Sequence, residues 1–123
     1  MTVLNAVLQS DKQLSFEASD VAVNQGEAFS SLVRLKLPVS FANDKVRLLF
    51  RRSDGKVFAS RWLKPYKKGN VLQTVFVLDN RMTECSGPLM IQAVLRNGNK
   101  IVKSVYGYRA SVYINPSICV NAC

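Results

Sequence analysis

The chain contains no histidine, so the side chains able to do chemistry are eight carboxylates, three cysteines and seventeen lysines and arginines. Without imidazole the usual general base near neutral pH is missing. The Ser-His and Cys-His nucleophile pairs and the commonest metal ligand go with it. The carboxylates, Asp11, Glu17, Asp20, Glu27, Asp44, Asp54, Asp79 and Glu84, are scattered along the sequence. Asp44, Asp54 and Asp79 sit beside turn residues, where an Asp side chain bonds to the backbone. Nothing in this spacing places two carboxyl groups in one cleft with separated pKa values, so a catalytic acid pair is not expected. The glycines form no Gly-rich run that opens a helix, which excludes a phosphate loop. The sequence therefore reads as a binder and not as an enzyme.

Cys85, Cys119 and Cys123 make an odd set, and the residues from Met1 to Gln9 lack the basic and long apolar regions of a secretory signal. Three free thiols are expected in a chain made and folded in the cytoplasm of its producer. The alternative places Cys119 and Cys123, separated by Val-Asn-Ala, in a metal clip or an intermolecular bridge. Zinc takes about four ligands, and three thiols without histidine do not complete such a set. No metal and no cofactor are expected. No stretch approaches the roughly 18 consecutive apolar residues of a spanning helix, so no membrane insertion is expected either.

The net charge of +9 is concentrated in the middle of the chain. Between Lys45 and Arg81 there are ten basic residues against Asp54 and Asp79, which leaves the two flanking thirds nearly neutral. Arg47, Arg51, Arg52, Lys56, Arg61, Lys64, Lys67 and Lys68 are the candidate binding patch for an acidic surface, whether nucleic acid, an anionic polymer or an acidic protein face. The same residues would equally keep the outer face of a hairpin hydrated and discourage edge-to-edge pairing. Phe58, Trp62 and Tyr66 interleave with these charges, as stacking on bases would require. Trp62, with its amphipathic build, is expected in the core or at its rim.

Short alternating runs must position these charges. In Ser31 to Leu37, Val33, Leu35 and Leu37 share one face, with Arg34 and Lys36 on the other. Val46 to Arg51 repeats this design with Val46, Leu48 and Phe50 facing inward. Arg52-Ser53-Asp54-Gly55-Lys56 then turns the chain, and Val57 to Leu63 is expected to return. Leu14 to Ala18 and Val71 to Leu78 also read as strands, with turns at Asn24 to Glu27 and Lys67 to Asn70. Asp79 to Pro88 reads as a crossing loop with room for one helical turn from Arg81 to Cys85. Leu89 to Arg96 and Ile101 to Ile114 flank a tight Asn97-Gly98 turn, the second strand carrying Tyr106 and Tyr108 and broken by Ser104.

At 123 residues, 48% hydrophobic and 20% charged, the chain has the size and composition of one globular domain. About seven strands at this spacing predict an all-β, immunoglobulin-like antiparallel sandwich; a small barrel is the second choice. The single domain spans 1–123, with its core at about 14–114 and a short tail at 115–123.

The order Val46-Arg47-Leu48-Leu49-Phe50-Arg51-Arg52-Ser53-Asp54-Gly55-Lys56 resembles the hairpin of the N-terminal domain of phage baseplate upper proteins. Upstream, Phe16 to Leu37 is similar to that family's opening strand, Asn-Gln-Gly-Glu turn and second alternating strand. Downstream, Gly87 to Leu95 is similar to its Gly-strand element, and Tyr113 to Ile118 to its terminal strand. The resemblance covers residues 14 to 118. It implies a bacteriophage virion structural protein made in the host cytoplasm, a homo-oligomer whose partners are other virion proteins. Family members continue into a linker and a receptor-binding part. Its absence here favours an adaptor, attachment or decoration subunit of the tail baseplate, neck or capsid. The alternative is a basic nucleic-acid-binding β-barrel acting through Lys45 to Arg81.

Overall fold

Alternating side chains give each ribbon one dry face, and two such ribbons must cover each other. The computed structural model describes residues 2–17, 23–104 and 110–118. Its strands are β1 (Thr2–Leu8), β2 (Leu14–Phe16), β3 (Val23–Asn24), β4 (Ser31–Leu37), β5 (Lys45–Arg51), β6 (Val57–Ala59), β7 (Tyr66–Lys68), β8 (Val71–Val77), β9 (Gly87–Asn97), β10 (Lys100–Lys103) and β11 (Ser111–Asn115). One short helix, α1 (Asn80–Thr83), precedes β9. The strands form two sheets, in the orders β2-β1-β4-β8-β7 and β3-β11-β9-β5-β6, with β10 pairing β9. The chain is an all-β sandwich.

Val33, Leu35 and Leu37 on β4 face Val46, Leu48 and Phe50 on β5 through a shared core, all of them buried. Leu89, Ile91, Ala93 and Leu95 on β9 complete the second sheet's inner face. The Phe50 and Phe76 rings lie 5.4 Å apart and tilted by 33°, an arrangement that favours aromatic pairs. The core also extends upstream of Leu14, because β1 contributes Leu4, Ala6 and Leu8.

Two pairings depart from the antiparallel expectation. β1 runs parallel to β4, from Thr2 opposite Ser31 to Val7 opposite Lys36, and β11 runs parallel to β3. Both sheets are therefore mixed.

The Asp-Gly hairpin forms as expected, with Gly55 at φ 90° and the Arg52 N–H donating to Lys56 O at 2.9 Å. The return strand is shorter than Val57 to Leu63. At Ser60 the hydroxyl accepts from Leu48 N–H at 2.9 Å while Ser60 N–H donates to Leu48 O at 2.8 Å. The side chain thus takes over the strand carbonyl's role, and the ribbon peels away after Ala59. Its backbone pairs with β5 again at the Leu63–Val46 bridge, and the chain then joins the other sheet as β7. Ser104 repeats the device against Ala93, with its hydroxyl accepting at 2.8 Å and its N–H donating at 2.9 Å. The run Ile101 to Ile114 is accordingly two strands, β10 and β11, and the positions read at Tyr106 and Tyr108 lie outside the described residues.

Asp79 caps α1, its carboxylate accepting from Arg81 and Met82 N–H. Cys85 is buried and disulfide-bonded, which corrects the expectation of three free thiols; Cys119 and Cys123 lie outside the described residues.

Candidate binding face

The antiparallel register of β5 and β9 sets Lys45 opposite Arg96, Arg47 opposite Val94, Leu49 opposite Gln92 and Arg51 opposite Met90. These are the residues between the core positions, so they share the outer face of the second sheet. On β6, Ala59 and Val57 extend the same rows from Leu49 and Arg51. Val57 is 62% exposed, Ile101 on β10 59% and Tyr113 on β11 60%, so apolar surface is interleaved with the cations. Leu49, Arg51, Val57, Met90 and Gln92 line a shallow depression of about 260 Å³ on this face.

Trp62 organises the basic end. Its ring lies under the guanidinium carbons of both Arg47, at 4.7 Å, and Arg96, at 4.6 Å. The indole is half-buried at the rim, held where the chain crosses from β6 to β7. Ring π-density offsets part of the mutual repulsion of two cations, so the arginines can stand close together without an acid between them. Among the described residues no carboxylate pairs with Arg47 or Arg96. The buried Nε of Arg47 has no hydrogen-bond acceptor.

The eight residues expected as one patch do not form one. Arg47 and Arg51 belong to the outer face just described. Arg52 is a correction: its side chain is only 3% exposed and serves the fold. It donates to Asp54 at 2.6 and 3.0 Å, to Glu84 at 2.7 Å and to Arg81 O at 2.9 Å, and its guanidinium stacks over Phe58. The hydrogen bond to Asp54 raises the Arg52 pKa against the opposing effect of burial. The same bond is the main cause that holds the Asp54 carboxyl down at about 2. Lys56 is exposed at the end of the hairpin turn. Arg61 and Lys64 lie on the segment that crosses between sheets, while Lys67 and Lys68 sit on β7 in the first sheet. Arg96 was missed because its place beside Arg47 depends on β5 pairing with β9 across more than forty residues of sequence.

This face can bind carboxylates, since a guanidinium presents a planar fork of donors to two oxygens. Among the described residues no three His, Cys, Asp or Glu side chains are placed to hold a metal ion, and no helix is long and apolar enough to cross a membrane. Compared with known proteins, the sequence matches no family model and no curated protein.

Proposed function

We propose that this chain is a non-enzymatic structural subunit that docks onto acid-bearing neighbours through the outer face of its second sheet. The observation that carries this reading is the pair Arg47 and Arg96, stacked on Trp62 and without a carboxylate partner among the described residues. Two unneutralised guanidinium groups, with exposed Ile101 opposite Arg96 and exposed Val57 and Tyr113 further along the same face, favour a protein surface that offers carboxylates and apolar side chains together. The likeness of the 46–56 hairpin to phage baseplate upper proteins supports a bacteriophage particle as the setting, with other virion proteins as partners and several copies assembled.

Nucleic acid fits this face less well. A base stacking on Trp62 must compete with the guanidinium groups already over that ring, and Lys67 and Lys68 belong to the other sheet.

Mass spectrometry of purified particles from the producing culture tests the reading. The chain should be present in stoichiometric amount, and an Arg47→Glu, Arg96→Glu double variant should be under-incorporated. Absence of the chain from the particles would overturn the virion setting. Retention on duplex or single-stranded DNA that falls steeply with salt would favour the nucleic-acid alternative.

A further inference from the structure

The edge of the first sheet is left partly uncovered. β7 pairs β8 only through Tyr66–Gln73, Lys67–Leu72 and Lys68–Val71. Pro65 immediately precedes this ladder, and the pairing ends there. From Thr74 onward β8 has β4 on one side and, among the described residues, no strand on the other.

The ladder pattern identifies which backbone groups are left over. Leu78 N–H donates to Ser31 O at 2.9 Å, and antiparallel pairs alternate between bonded and non-bonded. Counting back along the register, Phe76 and Thr74 bond to β4, whereas Val75 and Val77 turn their N–H and C=O groups away from it. Among the described residues these groups meet no backbone partner on that side. They open into a trench of about 450 Å³ floored by Leu63, Phe76 and Met82. A second depression of about 490 Å³, sharing Arg61, Leu63 and Val75 with the first, continues it toward Tyr66.

Phe29 stands in this trench wall, 67% exposed and at φ 60°, a left-handed conformation that a bulky side chain adopts only when its surroundings impose it. Its N–H donates to Leu78 O at 3.0 Å, which fixes the ring at the end of the β8 edge. Arg61 lines both depressions, and no ion pair holds it among the described residues; Lys64 lines one of them. Asp79 is already held by Arg81 at 2.8 Å.

We propose that the uncovered β8 edge takes up an extended, acid-bearing segment of another protein as an added strand. Val75 and Val77 would supply the ladder, the trench would receive alternate apolar side chains around Phe29, and Arg61 and Lys64 would meet the carboxylates. A second copy of this chain is the poorer occupant, because edge-to-edge pairing would set Arg61, Lys64, Lys67 and Lys68 against their own like charges. This inference goes beyond the proposed function and stands apart from it: neither Arg47 nor Arg96 lines the trench, so failure here leaves the outer-face reading intact.

The test uses the full chain and an acetylated peptide of alternating aspartate and valine, about nine residues long to cover the edge at roughly 3.3 Å per residue. The expected results are saturable binding by fluorescence anisotropy and slowing of Val75 and Val77 amide exchange by about tenfold or more. Val75→Pro deletes an N–H that β4 does not use and should weaken binding about tenfold, as should Arg61→Glu. A peptide N-methylated at alternate amides should fail to bind the unmodified chain, which keeps the test independent of how any variant folds. Absence of saturable binding, equal affinity for the methylated peptide, or displacement of the peptide by an oligothymidylate would each overturn the proposal.

Discussion

Arg52 donates to Glu84 at 2.7 Å across thirty-two positions of sequence, tying the β5–β6 hairpin to the segment that leads into β9. The same guanidinium grips Asp54 within its own turn and the Arg81 carbonyl at the end of the connection from β8. One buried cation therefore ties two loops together, the β5–β6 turn and the β8–β9 connection, at one end of the sandwich.

Arg52→Ala should destabilise the domain by about 2–3 kcal/mol, because several charge-assisted hydrogen bonds are lost while Asp54 and Glu84 can rehydrate. Arg52→Lys should recover only part of this, since an ammonium cannot serve two carboxylates and a carbonyl in one plane. Urea denaturation midpoints with unchanged slope would measure both.

The Asp54 carboxyl has its pKa lowered from 3.8 to about 2 in the folded chain. A depressed pKa means the unfolded state binds the proton more readily, so this contribution is fully present above about pH 4 and is lost as pH falls toward 2. Asp54→Asn should flatten the acid limb of the stability curve over that window. Thermal midpoints recorded from pH 5 down to 2 on both forms would show it.

Trp62 is the chain's only tryptophan, so its fluorescence reports on the two guanidinium groups above it. Arg47→Ala and Arg96→Ala should each shift its emission and cost about 0.5–1 kcal/mol, leaving circular dichroism unchanged. Identical spectra for both variants and the parent would show that the stacking does not hold in solution.

Gly87 opens β9 at φ +109°, and an added Cβ would stand 3.1 Å from the Ser53 Cβ. Gly87→Ala should therefore cost more than Gly55→Ala. Gly55 has φ +90° with no atom near the added carbon, so it meets only backbone strain, of about 1 kcal/mol. Side-by-side chemical denaturation of the two variants decides this.

The two faces of β4 and β5 were legible in the sequence because strand period alone assigns them, as Val33 to Leu37 and Val46 to Phe50 show. The Asp-Gly and Asn-Gly turns were legible because positive φ demands such residues. Ser60 was not recognised as the end of β6, since a serine in a strand-like run looks like any other outward polar residue until its hydroxyl is seen accepting from Leu48. The grouping of Arg47, Trp62 and Arg96 was hidden for a related reason: register between distant strands is set by core packing, and charge counting along the chain cannot recover it. Charge counting also admitted Arg52, whose burial depends on Glu84 arriving from another loop.

The parallel pairing of β3 with β11 has a consequence for how the domain is made. β3 spans Val23–Asn24 and finds its ladder at Ile114 and Asn115. On a ribosome, the early strand must wait without its partner while some ninety intervening residues are synthesised, and this pairing forms only when β11 emerges from the tunnel. Until then the nascent chain carries a gap in the second sheet, which a chaperone or a neighbouring copy is free to occupy.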